Sequence, residues 1–411
     1  MKPSPDDYTA WGFALLFRIF ILTIILILPT FSAEAGIRDT VRALAPNGLV
    51  LVVDETGKVL VSRNANKPFI PASVAKIATA WLAMEMLGGD YRFETRFYID
   101  AQRVLYLRGG GDPFLVSEEL ALLAPKLLDA TGNEPFSAMI LDTSHYPEDL
   151  TIPGIKNDDE AYNALNSALA VNFNTIHAVR SGKSVRSAEK QTPITPLAIS
   201  QFRKRGPNGR GRISLAQEDP TLSSLYAGEL VAEFIKRSGG EVRGGISIGR
   251  IPAGLQPVYV HLQSRPLAEI VRQMLLGSNN YIANQLFLEA GAQKLGSPVS
   301  IENSLAVLNE LLKKRRLGDG IKMVEGSGIS RENRITAHGL AGLLNDFASH
   351  AELLKRTRRG SRYKTGTLDD VSTLAGYAQT TKHGVVRFVI ALPGRTGKLR
   401  FRILNAIEKG L

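Results

Sequence analysis

The 411-residue sequence predicts a mixed α/β (α+β) fold: an antiparallel sheet flanked by helices, with a strand-rich inserted domain. Three observations lead there. β-rich runs sit near both chain ends, at Leu49–Val53 and Val59–Ser62 and again at 372–381 and 385–394. Helical stretches fill much of the space between them, at 71–87, 266–276, 281–295 and 300–315. Positions 96–260 have a different texture, with short alternating segments, many Gly and Pro, and basic loops. One sheet built from both termini would carry that middle block as an insertion.

The N-terminus reads as a leader. Arg18 precedes the apolar stretch Ile19–Leu28, then come Pro29 and the small-residue site Ala33-Glu34-Ala35. A basic flank, a short apolar core and an A-x-A site describe a secretory signal peptide over 1–35. Trp11–Phe17 also lengthens the apolar run towards a membrane span, so an uncleaved anchor is the second reading. Both export the remainder, to the periplasm or the outer face of the inner membrane, and membrane association would run only through this segment. Positions 36–95 and 261–411 then form one catalytic domain around the insertion 96–260.

Composition narrows the chemistry. The formal net charge of +11 favours anionic surroundings. A nucleic-acid partner would rest on that charge alone, and export argues against it. There is no cysteine, which excludes disulfides, thiol nucleophiles and thiolate metal sites. The six histidines are scattered singly, so neither a metal nor a cofactor is expected.

Local signals place the elements. "GLVLVVDETGKVLVSRN" is a hairpin around a Glu-Thr-Gly-Lys turn. A helix from Pro71 to about Leu87 follows, Pro suiting a first helical position and Gly88-Gly89 ending the run. "FRKRGPNGRGR" (202–212) reads as a solvated turn, and a break at "GSNN" separates two helices. A Lys382-His383-Gly384 turn joins the C-terminal strands, and a last helix starts near Lys398.

The first helix raises the functional question. Ser73 and Lys76 stand three positions apart, hence on one face. A serine hydroxyl needs a neighbouring base before it attacks. Lysine serves when burial or a nearby cation disfavours its charged form. S-x-x-K alone is common, and a surface serine beside a snorkelling lysine is its ordinary reading. Two further pieces change the balance: Ser278-Asn279-Asn280 at a helix break, and Lys364-Thr365-Gly366 before a C-terminal strand region. S-x-x-K, S-x-N and K-T-G, in that order, mark penicillin-interacting serine enzymes.

On these motifs the chain resembles the penicillin-binding D-alanyl-D-alanine carboxypeptidase/endopeptidase family of low-molecular-mass, class C type. "LRGGGDPFL" (107–115), "NSALAVNFNTI" (166–176) and "VEGSGISRENRIT" (324–336) are similar to further elements of that family. The resemblance covers about 45 to 395. It implies a β-lactamase/transpeptidase-like serine enzyme fold acting on peptidoglycan stem peptides and acylated by β-lactams. By matching position it makes Ser73 the acylated nucleophile and Lys76 its base, kept neutral by Lys364. Ser278 would relay a proton and Asn280 would position Lys76 and the substrate amide. Lys364 and Thr365 would hold the terminal carboxylate, Gly366 would allow close approach, and the N–H groups of Ser73 and Thr367 would form the oxyanion hole. Asp112, Glu325 and Arg331 are accessory candidates: Asp112 a turn residue or an amine contact, Glu325 and Arg331 a bracing ion pair or substrate contacts.

Departures include Phe114 where the family has Thr, Glu325 for Asp and Ile329 for Leu. The insertion and the stretch between Arg331 and Lys364 look short, which bears on substrate reach and endopeptidase activity. A β-lactamase on the same scaffold is the competing enzyme, but Glu160 lacks the E-x-x-L-N spacing of a deacylating glutamate. A non-catalytic penicillin or wall-peptide sensor is the competing binding module, and the intact Ser, Lys, Asn and Lys set argues against it. "GISIG" (245–249) matches a nucleophile elbow but lacks the following helix, "SGKSV" (181–185) reads as a turn, and "KRTRRGSRYK" (355–364) reads as a solvated face or a source of positive potential for anionic wall peptides. Oligomeric state is not legible.

Overall fold

The computed structural model describes residues 36–215 and 219–411, so the proposed leader lies outside the described residues. The main sheet has the order Lys355–Arg356, Arg362–Leu368, Val371–Gln379, Val385–Pro393, Leu49–Val53, Val59–Arg63, antiparallel throughout. The N-terminal hairpin thus completes a sheet begun by the C-terminal strands, as predicted.

Both faces of this sheet are covered, which explains why Leu49–Val53 is apolar without a break. Val50 and Val52 pack under an outer layer formed by the helix 36–44 and the helix Gly397–Gly410, with Val41, Ile403 and Ile407. Leu49, Leu51 and Val53 face the opposite way, into a core with Trp81, Ile270 and Leu340 from the inner helices. The same alternation governs Arg362–Leu368. Tyr363 joins the outer core, so Lys364 and Gly366 turn towards the inner helices.

Among the inner helices, Asn280–Leu295 is buried on every side over positions 281–291 and packs on Lys76–Leu87. A helix with no polar face belongs in a core, and these two form its axis. Among the described residues no helix is long and apolar enough to cross a membrane.

The middle block has its own core. A mixed sheet runs in the order Tyr259–Leu262, Glu94–Ile99, Val104–Arg108, Ala138–Asp142, Ile246–Ile248, and a smaller one in the order Ser184–Ser187, Thr175–Ser181, Gly209–Ser214. Against them pack helices Ser117–Thr131, Pro196–Arg205 and Thr221–Arg237, burying Phe97, Leu120, Phe202 and Leu230. The block is therefore less purely strand-rich than its texture implies. The basic stretch 202–212 is corrected likewise: it is the end of a helix, a short turn and a strand, not a solvated turn. Its arginines misled because Arg203, Lys204 and Arg205 sit in the last helical turn, where cations favour the helix dipole. "GISIG" is an edge strand with no helix after it, and "SGKSV" is a hairpin turn.

Candidate active site

The Ser73 segment departs from the simple helix expected. Ala72–Ala75 form a 3₁₀ turn, and the α-helix starts only at Lys76. In a 3₁₀ turn the side chains at i and i+3 eclipse, which stacks Ser73 on Lys76 more directly than an α-helix would. Ala72 holds a positive φ of 48°, an uncommon conformation for a residue with a Cβ. Gly328 packs so closely there that a Cβ on it would lie 2.0 Å from the Ala72 carbonyl oxygen. Such strain costs about 1–3 kcal/mol and clusters at functional sites.

Lys76 is fully buried, and its Nζ lies 3.1 Å from Ser73 Oγ. It also donates to Asn280 Oδ1 at 2.7 Å and to the Ser327 carbonyl at 2.6 Å. Burial pushes the ammonium well below its ordinary 10.5, repulsion from Lys364 pushes the same way, and Glu325 opposes both. Asn280 opens its helix just after Asn279, which caps it by accepting from the Ile282 N–H. The Asn280 amide is fixed from behind, because Nδ2 donates to the Tyr162 carbonyl at 3.1 Å.

Ser278 ends the preceding helix in the left-handed region, at φ 53°. There its hydroxyl accepts from Lys364 Nζ at 2.8 Å, and the same amine donates to the Thr365 carbonyl at 2.9 Å. Lys364 is 3% exposed, and burial, then Arg400 and Lys355, bring it down to about 7. Gly366 passes against the nucleophile turn: a Cβ there would stand 2.7 Å from the Pro71 oxygen and 2.9 Å from the Ser73 nitrogen. Thr373, opposite Gly366 in the sheet, ties the two segments by donating to the Pro71 carbonyl.

The structure therefore brings together Ser73, Lys76, Ser278, Asn280 and Lys364, with the strand Lys364-Thr365-Gly366-Thr367 alongside. The accessory candidates fall elsewhere. Glu325 is buried but, among the described residues, in no ion pair: it accepts from the N–H groups of Ser327, Gly328 and Ser330, the Ser327 hydroxyl and Asn333 Nδ2. It shapes the loop that presents the Ser327 carbonyl to Lys76. Arg331 is half-exposed and pairs with Asp370. Asp112 accepts from the Phe114 N–H and from Gln263 Nε2, a turn and bracing role, and burial raises it to about 6.

Three contributors carry no sequence signal. The Ser327 and Tyr162 carbonyls are backbone groups, and backbone placement leaves no side-chain pattern. Arg400, from the last helix, reaches under the strand to the carbonyls of Gly366 and Thr373 and to the Thr367 hydroxyl. In the sequence it is one of several basic residues on an amphipathic helix.

Among known proteins, the model of the D-Ala-D-Ala carboxypeptidase 3 (S13) family matches residues 39–205 and 210–358. A D-alanyl-D-alanine carboxypeptidase of Actinomadura sp. (strain R39) is 26% identical, over 92% of this chain and 80% of its own. D-alanyl-D-alanine carboxypeptidase DacB of Haemophilus influenzae is 23% identical, over 94% of each. The crystal structure of penicillin binding protein 4 from Haemophilus influenzae superposes with a TM-score of 0.70 at 21% identity, covering 88% of this chain and 94% of that one. That likeness shows a shared fold, and the family match spans both the helical core and the inserted block. The chain belongs to the D-Ala-D-Ala carboxypeptidase 3 (S13) family, a family of serine-type peptidases.

Proposed function

We propose that Ser73 is the acyl-transfer nucleophile for peptidoglycan stem peptides ending in D-Ala-D-Ala, and that Lys76 takes its proton. The observation that carries this is the hydrogen-bond inventory of Lys76. A neutral amine has two N–H bonds and one lone pair. The carbonyl oxygens of Asn280 and Ser327 occupy both N–H bonds, at 2.7 and 2.6 Å, which leaves the lone pair for the Ser73 hydroxyl at 3.1 Å. Attack then transfers the hydroxyl proton to Lys76. The N–H groups of Ser73 and Thr367 stabilise the oxyanion. Ser278, linked to Lys364, returns a proton to the departing D-alanine amine, and Lys364 with Thr365 binds the terminal carboxylate. Water completes hydrolysis of the acyl-Ser73 ester. Glu325 and Arg331 act as positioning residues for the loop behind Lys76, and Asp112 braces the glycine-rich turn.

A β-lactam enters the same site as a carboxylate-bearing acyl donor. In support, penicillin binding protein 4 of Haemophilus influenzae, similar at a TM-score of 0.68, was solved complexed with a β-lactam. The apolar segment before residue 36, with its A-x-A site, supports export to the periplasm. The test is labelling by a fluorescent penicillin with mapping of the adduct, together with D-alanine release from a pentapeptide stem. The expected result is a slowly hydrolysed adduct on Ser73 and measurable D-alanine. An adduct elsewhere overturns the assignment, rapid hydrolysis favours a β-lactamase, and labelling without D-alanine favours a sensor.

A further inference from the structure

Glu289 stands nine residues beyond Asn280, two and a half turns along the same helix and so on its opposite side, and there a second serine is aligned with a base. Glu289 is buried, and His145 Nε2 lies 3.0 and 3.1 Å from its two carboxylate oxygens. The other ring nitrogen, Nδ1, lies 2.8 Å from the hydroxyl of Ser297, an exposed residue. With Nε2 giving its hydrogen to the carboxylate, Nδ1 is left to accept from the Ser297 hydroxyl. That tautomer is the one a general base requires. The ring is used in the opposite sense to the Ser-His-Asp triad, whose Nε2 faces the serine, but the proton path is equivalent.

The backbone holds each member. Val299 N–H donates to the His145 carbonyl at 3.3 Å, joining the loops that carry His145 and Ser297. Gly111 presses on the carboxylate, since a Cβ there would stand 2.1 Å from Glu289 Oε1. Ser297, His145 and Glu289 line a cavity of about 230 Å³ together with Arg108, Arg96 and the backbone of Gly109-Gly110. Arg96 is engaged by Glu94 at 2.7 Å. Arg108 brings to the cavity wall the kind of cation that stabilises an oxyanion or an anionic substituent. The volume lies below the roughly 300 Å³ at which sites for drug-sized ligands begin, which restricts the occupant to a short acyl group.

We propose that Ser297, His145 and Glu289 form a second acyl-transfer site, separate from Ser73, that hydrolyses small acyl esters. Ser297 Oγ bonds to the ester carbonyl carbon as its proton passes to His145 Nδ1, and Glu289 stabilises the imidazolium. The bond from that carbon to the alkoxide breaks, and the alkoxide leaves as the alcohol with the proton from His145. Water then attacks the acyl-Ser297, giving its proton through His145 to Ser297 Oγ and releasing the carboxylic acid.

The test starts from Ser73→Ala, so that only the second serine can react. A fluorophosphonate probe should mark Ser297 by peptide mapping. Turnover of 4-nitrophenyl acetate should exceed that of Ser73→Ala/Ser297→Ala at least 10-fold. Because the native chain has no cysteine, Ser297→Cys offers a measurement that leaves His145 and Glu289 intact. Its thiol should react with iodoacetamide at pH 7 at least 10-fold faster than the thiol of Lys183→Cys, on an exposed turn. No adduct on Ser297 with equal ester turnover in the two serine variants overturns the proposal. So does alkylation of Ser297→Cys at the control rate.

Discussion

The active site and the junction where the inserted block rejoins the chain both bury charge, and they treat it in opposite ways. At the junction Glu119 is fully buried but fully answered. It accepts from His261 Nε2 at 2.7 Å and from the Ser264 N–H and hydroxyl at 2.7 and 2.5 Å, with Arg265 at 3.5 Å. Burial alone would raise this carboxyl, but the hydrogen bonds from His261 and Ser264 outweigh it and hold Glu119 below its ordinary value. At the active site Lys76 and Lys364 meet, among the described residues, only neutral oxygens, from Ser73, Asn280 and Ser327 in one case and Ser278 and Thr365 in the other. Glu325, whose charge acts on Lys76, spends its acceptors on its own loop. Pairing makes a buried charge structural, whereas withholding a partner pushes an amine towards its neutral form, in which it can accept a proton.

The largest effects should come from the unpaired cluster. Ser73→Ala should abolish penicillin acylation, a loss of at least about 10⁴-fold. Lys76→Arg should lower the acylation rate by about 10²–10⁴-fold, because guanidinium keeps its proton at any ordinary pH. A wild-type rate in that variant would remove Lys76 as the base.

The paired cluster should respond in stability instead. Glu119→Gln keeps one acceptor but replaces the other oxygen with an N–H donor among buried groups that now donate to it, and should cost about 1–3 kcal/mol, read from urea unfolding. The acylation rate per folded molecule should stay at the wild-type value. A fall in rate without a fall in stability would break the contrast.

Lys364 sharpens it through pH. Its folded value of about 7 lies below the 10.5 of an ordinary lysine. Between those values the unfolded chain holds a proton that the folded chain has lost, so stability rises with pH across that window. Relative to Lys364→Met, the wild type should therefore gain stability from pH 7 to 10, and a flat difference would place a charged, paired lysine there. The smallest effect belongs to Arg331, whose pair with Asp370 is open to solvent. Arg331→Ala should change stability by less than about 1 kcal/mol.

Legibility in the sequence followed the reach of each interaction. The terminal hairpin and the helices at 267–314 were readable because their hydrophobic patterns are local and uninterrupted. The motif serines and lysines were readable because their chemistry needs particular side chains. The helices of the inserted block were not: Ser117–Thr131 contains Pro125, and Pro196–Arg205 ends in three consecutive cations, so each looks broken or solvated in isolation. The 3₁₀ turn at Ser73 was equally hidden, because it depends on Gly328 and Gly366 arriving from distant segments. Arg400 and the Ser327 carbonyl belong to the same class.

The most direct test is the protonation state of Lys76 itself. In protein carrying ¹³C at lysine Cε, its resonance can be assigned by its loss in Lys76→Met and followed with pH. Burial and the repulsion from Lys364 should move its change from ammonium to amine well below the 10.5 of an ordinary lysine. A Lys76 signal that remains that of an ammonium up to pH 10 would contradict it.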